Sequence, residues 1–198
     1  MKNKGISYSN APEIAWQDLI KFKRSFTEPV PKQREEQFSK AGLTAIHGIA
    51  KFVSDRTLEV GKHHLLVGSH ILNATGTEPA KLNIPGEENI IKSDEFMELN
   101  ELPPKIVFVG GGYISFEFAH IAARAGAKVT ILHRGTRPLN NFDPYLVDML
   151  LEKTRDVGIE VILRTRVDSI ESRRNDSNSG GTDYKVHYSS VRITKFLT

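Results

Sequence analysis

The sequence contains no cysteine, so this chain alone cannot supply a disulfide, a thiolate nucleophile or a cysteine-based metal site. It has no run of 18 consecutive apolar residues, and Met1-Lys2-Asn3-Lys4-Gly5 leads into no apolar stretch. Neither a membrane span nor a secretory leader is therefore expected, and the reading is a cytoplasmic protein. A strong charge of one sign is missing too: 27 Lys and Arg face 24 Asp and Glu, for a net charge of +3. Aromatic residues are few, at 8%, and do not interleave with the scattered basic ones, so nucleic acid is not an expected partner. The densest basic run, Lys21-Phe22-Lys23-Arg24, reads as the solvated face of an amphipathic helix. With 15 Gly and 9 Pro the chain is neither collagenous nor broadly disordered, and its 198 residues suit one ordinary domain or two small ones.

Two grammars divide the chain. Asn10-Ala11-Pro12-Glu13 reads as a helix start, and the periodic Ile14, Trp16, Leu19, Ile20 and Phe22 predict a helix over 11–26. Pro29 and Pro31 end it, a second helix over 32–40 closes at Gly42, and the two form an expected antiparallel helical arm. Short β-branched runs predict small strands at 44–46, 50–53, 57–60, 64–67 and 70–72, followed by a Gly- and Pro-rich loop and a short helix over 93–99. Beyond Pro103-Pro104 the pattern becomes strand 105–109, helix 113–125, strand 127–132, helix 143–157 and strand 160–163. Segments 164–170 and 184–188 suggest a hairpin across a polar loop at 174–182.

Gly110-Gly111-Gly112-Tyr113-Ile114-Ser115 fits G-x-G-x-x-(G/A) with Ser in the last place, directly after a strand and opening a helix. In that context Gly110 permits the tight turn and Gly112 lets a pyrophosphate approach the backbone. Ser115 allows close helix packing, and the helix N-terminus offers free N–H groups. NAD sites usually carry Asp or Glu at the end of the second strand to accept from the ribose diol. Here that strand ends at His133, 23 positions after Gly110, with Arg134 next and Arg137 close behind. A guanidinium pairs with a 2′-phosphate that a carboxylate would repel, so NADP(H) is favoured over NAD(H). Arg134 and Arg137 as two exposed loop cations remain the alternative.

The run Val107 to Ala119 and the strand Lys128-Val129-Thr130-Ile131-Leu132 closely resemble the nucleotide domain of FAD-dependent pyridine nucleotide-disulfide oxidoreductases, the group of glutathione reductase, mercuric reductase and dihydrolipoamide dehydrogenase. Ile71-Leu72-Asn73-Ala74-Thr75-Gly76-Thr77-Glu78-Pro79 resembles that family's second flavin-contacting motif, and Ile84-Pro85-Gly86 its link into the nucleotide domain. The resemblance implies a Rossmann-like α/β fold and hydride passing from nicotinamide to flavin to a disulfide. It also implies that Gly110, Gly112, Ile114 and Ser115 border the pyrophosphate and that Tyr113 covers the flavin. Glu117 would lie near the carboxamide, helped by partial burial between Phe116 and Phe118. His133, Arg134 and Arg137 would sit at the adenosine end; Ala74, Thr75 and Gly76 would pass the FAD, and Gly48 and Ala50 its adenine.

The implied domains are a partial FAD-binding domain over 1–103, an NAD(P)-binding domain over 104–190 and an atypical tail over 191–198. The family's first FAD-binding glycine motif, its cysteine pair and its dimerisation domain find no counterpart in the sequence, and no histidine here matches the family's catalytic one. A middle portion of such an enzyme is thus expected. Two further readings stand beside it: a free-standing NADP(H)-binding module that meets a flavoprotein partner or a second copy of itself, and a nonfunctional remnant.

Overall fold

The computed structural model describes residues 13–61, 63–66, 69–174 and 182–190. The chain divides into two units, Phe22–Pro79 and, separately, the residues up to Lys21 together with those from Ala80 onward.

Two helices come first, α1 (Trp16–Thr27) and α2 (Val30–Lys40). The second begins two residues before the expected 32, because Pro31 lies in its first turn, where a missing N–H removes no helical bond. It ends as expected at Gly42, whose φ of +74° suits a left-handed closing residue. Gly42 N–H donates to Ser39 O and Leu43 N–H to Phe38 O, at 3.0 and 2.9 Å. No residue of α2 is buried, so it forms as an exposed helix.

In the Phe22–Pro79 unit, β1 (Ala50–Ser54), β2 (Thr57–Val60) and β3 (His63–Leu66) form an antiparallel meander. Two expected strands are absent. Residues 44–46 and 70–72 join no ladder. Gly48, at φ +147°, separates the first segment from β1, and Leu72 is 90% exposed, so alternating apolar residues found no partner strand to pair with. The third strand begins one residue earlier than expected, and Val67 lies outside the described residues.

The other unit is a Rossmann-like α/β domain. A short α3 (Ser93–Met97) stops two residues before the expected 99 and precedes β4 (Lys105–Val109). Then come α4 (Tyr113–Arg124), β5 (Lys128–Leu132), α5 (Pro144–Asp156), β6 (Glu160–Ile162), and the hairpin strands β7 (Thr165–Arg174) and β8 (Thr182–Ser190). The sheet is parallel in the order β4-β5-β6, with Val109 opposite Leu132 and Leu132 opposite Ile162.

Period-2 alternation explains the layers. Val129 and Ile131 of β5, Phe108 of β4 and Val161 of β6 face α4 and α5 through Phe116, Ala119, Val147 and Leu151. Leu132, Val109 and Ile162 face the other way, onto Val167 and Ile170 of the hairpin. Phe96 anchors the first core, stacked on Phe118 at 4.6 Å and edge-on to Phe108 and Trp16. On the second face, Ile170 N–H donates to Pro85 O at 2.9 Å, and Gly86 passes so close that a Cβ there would sit 1.8 Å from Ile170 O.

Candidate functional site at the carboxyl ends of the parallel strands

The carboxyl ends of β4, β5 and β6 lie side by side, and the sequence-predicted glycine turn and basic residues all follow from them. Gly110 leaves β4 at φ +117°, a conformation only glycine adopts readily, and its N–H donates to Leu132 O at 2.9 Å. Gly111 is glycine for space: a Cβ would stand 2.7 Å from His133 Cγ and 2.8 Å from Pro138 Cβ. Gly112 is different. Its φ of −86° and ψ of 171° suit any residue, and a Cβ there would meet nothing within 4 Å. The protein itself therefore gives no reason for this glycine, whereas an anion approaching the backbone would.

Helix α4 starts at Gly112 without a side-chain cap. Helix α5 makes the contrast, since Asp143 Oδ1 accepts from Tyr145 and Leu146 N–H at 2.9 and 3.2 Å. The first turn of α4 thus keeps its N–H groups and its positive dipole end for an external acceptor. Tyr113 and Ile114 are 57% and 41% exposed, and Ser115 is half-buried. Glu117 is fully on the exposed face with Tyr113 and Ile121, contrary to the partial burial expected of it. At 100° per residue the core arc holds Phe116, Phe118 and Ala119, and Glu117 falls outside it.

His133 is half-buried and spends both ring nitrogens on the backbone. Gly111 N–H donates to Nδ1 at 3.1 Å, which leaves the proton on Nε2, and Nε2–H donates to Arg137 O at 2.9 Å. It is a brace between the glycine turn and the loop after β5. Arg137 is also committed: its guanidinium donates to Pro144 O at 2.8 Å and pairs with Asp148, fixing the loop to α5. Arg134 is exposed and has no hydrogen bond or ion pair among the described residues.

Two features escaped sequence reasoning. Behind α4, Thr154 Oγ1 donates to Leu150 O at 2.7 Å, so His120 Nε2–H must donate to Thr154 Oγ1 at 2.9 Å, while Arg124 Nη1–H donates to His120 Nδ1 at 2.7 Å. Burial and then the Arg124 charge hold the His120 pKa below its ordinary value. Second, Thr165 N–H donates to His133 O and Arg164 N–H to Gly135 O, each at 2.9 Å, which brings the Arg164 backbone alongside that of Arg134. No local pattern announces either feature, because both arise from residues about 30 positions apart.

In the Phe22–Pro79 unit, Ala74, Thr75 and Gly76 are exposed and belong to no helix or strand; Thr75 N–H donates to Asn73 Oδ1 at 3.3 Å and Gly76 has φ +80°. Among the described residues no cluster of His, Asp or Glu forms a metal site, and no helix is long and apolar enough to cross a membrane.

A parallel sheet with a glycine turn between its first strand and a helix defines the class as Rossmann-like α/β. The chain belongs to the pyridine nucleotide-disulphide oxidoreductase family, whose profile matches residues 6–193. It is 34% identical over 162 residues to a glutathione reductase of Nostoc sp., covering 80% of this chain and 34% of that protein. It is 28% identical over 148 residues to a mercuric reductase of Staphylococcus aureus, covering 72% and 27%. Among solved structures it resembles the HOCl-induced flavoprotein disulfide reductase RclA from Escherichia coli, at a TM-score of 0.74 and 26% identity over 86% of this chain and 38% of that one. The sequence thus spans about a third of the curated relatives it matches.

Proposed function

We propose that this chain is the NADP(H)-binding portion of a flavin-dependent disulfide oxidoreductase. The observation that carries the reading is Gly112, a glycine that neither backbone conformation nor packing requires, at the open N-terminus of α4 and across from the unpaired Arg134. Gly110, Gly112, Ile114 and Ser115 would hold the pyrophosphate through N–H groups and the helix dipole. Arg134 would pair with the 2′-phosphate, while His133 and Arg137 hold its loop in place. Tyr113 and Glu117, exposed one turn apart on α4, would face the nicotinamide and flavin side. Ala74, Thr75 and Gly76 would present their backbone to FAD. Nicotinamide and flavin supply the hydride chemistry when bound; the chain's own share is orientation. Disulfide chemistry requires thiols from outside these 198 residues.

Titration of the full chain with NADPH and NADH tests this. NADPH should bind at least about 10-fold more tightly, the difference expected from one charge-assisted bidentate pair. Equal affinities would refute the assignment of Arg134. A second reading, the binding module that meets a flavoprotein or a second copy, is favoured by Phe22, Phe52, Ile49 and Leu72, all more than half exposed in one small unit. Recovery of a defined complex with a flavoprotein would support it.

A further inference from the structure

We propose that Arg164 is a second guanidinium of the same anion site, so that the protein selects a dinucleotide by gripping its ribose phosphate from two sides. The inference rests on the NADP(H) reading and extends it to a residue outside the glycine motif and outside the loop after β5.

Three observations carry it. Arg134 and Arg164 lie at matching places: in the parallel register Leu132 is opposite Ile162, and each arginine is two residues further on. Neighbouring strands run about 4.8 Å apart. The backbone bonds Arg164 N–H to Gly135 O and Thr165 N–H to His133 O carry that proximity past the strand ends. Next, Arg164 adopts φ +54°, a left-handed conformation in which Gly or Asn would be less strained. A long charged side chain at such a turn needs a use, and strained positions of this kind gather at binding sites. Last, the neighbouring cations are already neutralised, Arg137 by Asp148 and Arg166 by Asp168 at 3.2 Å. Arg134 and Arg164 have no such carboxylate among the described residues, and both are exposed. Two uncompensated arginines whose backbones lie a strand apart suit a phosphate carrying close to two negative charges, which each guanidinium can meet with two N–H donors.

The test measures dissociation constants of the full chain for NADPH, NADH and 2′,5′-ADP, the last as a probe of the phosphorylated adenosine end without the nicotinamide half. Arg164→Asn removes the charge and keeps a residue that accepts left-handed backbone; Arg164→Lys keeps the charge. We expect Arg164→Asn to weaken NADPH and 2′,5′-ADP by about 10-fold and NADH by less than about twofold, with Arg164→Lys recovering part of the loss. The salt dependence of NADPH binding should also become shallower in Arg164→Asn. If Arg164→Asn binds all three ligands like the wild type while Arg134→Gln loses NADPH, the reading of the site stands and the role of Arg164 is overturned. An equal loss for NADPH and NADH would show structural damage and overturn it as well. If the wild type shows no preference for NADPH, the reading itself falls and this inference with it.

Discussion

Replacing the middle and last glycines of the turn one at a time separates what the fold needs from what a ligand needs. In Gly111→Ala the new methyl would sit 2.7 Å from His133 Cγ, 2.8 Å from His133 Nδ1 and 2.8 Å from Pro138 Cβ. Overpacking of this kind costs about 1–3 kcal/mol. Displacing His133 also loosens its bonds to Gly111 N–H and Arg137 O, each worth about 1 kcal/mol net. With 1 kcal/mol lowering Tm by about 2–4 °C in a unit of this size, Gly111→Ala should melt about 6 °C or more below the wild type. In Gly112→Ala the backbone is already extended and the methyl meets no atom within 4 Å. Its Tm should stay within a few degrees, and the loss of unfolded-state freedom can even raise stability by about 0.4–1 kcal/mol. The same methyl stands where a pyrophosphate would approach, so NADPH binding should weaken by at least about 10-fold. Melting by circular dichroism together with calorimetric titration reads both effects. A Gly112→Ala variant that binds NADPH like the wild type would refute the argument that this glycine serves a ligand.

Three other outcomes follow from the same geometry. Gly86→Ala should destabilise the domain by more than about 3 kcal/mol, because its Cβ would fall 1.8 Å from Ile170 O at a φ of +83°; a Tm within about 5 °C of the wild type would contradict this. Arg137→Ala should cost about 1 kcal/mol of stability through its lost contacts to Pro144 O and Asp148 and, by loosening the loop that carries Arg134, weaken NADPH more than NADH; unchanged NADPH affinity would contradict the role given to Arg137 in holding that loop. For His120 the folded pKa lies below 6.5, so the unfolded chain takes up the proton first. Its contribution is intact above pH 6.5 and is lost as pH falls through the depressed folded value. Tm measured across that window should fall less in His120→Gln than in the wild type, and identical pH profiles would refute the burial of a neutral His120 beside Arg124.

Much of the Rossmann-like unit was legible because its signals are local. The run 105–109, the three glycines, the helix and the next strand follow one another in sequence, and each obeys its own period. The Phe22–Pro79 unit was read less well, since Thr44-Ala45-Ile46 and His70-Ile71-Leu72 carry strand-like residues whose pairing depends on what lies alongside them. Within the site, Arg134 and the glycine turn could be named from motif spacing. That His133 and Arg137 are taken up by the backbone and Asp148 could not, because hydrogen-bond partners are set by the loop's path between β5 and α5. Glu117 shows the same limit: its two Phe neighbours suggested burial, but the helical turn points them one way and the carboxylate another. Arg164 stayed hidden because it is 30 positions from Arg134 and only the parallel register brings them level.

A thermal-shift titration with NADPH, NADH and FAD side by side asks whether the strand ends form a working NADP(H) site. A ligand at about 100 times its dissociation constant adds roughly 2.7 kcal/mol to the folded state. NADPH should raise Tm at concentrations where NADH does not. A cooperative melt that neither nicotinamide nucleotide moves would contradict it.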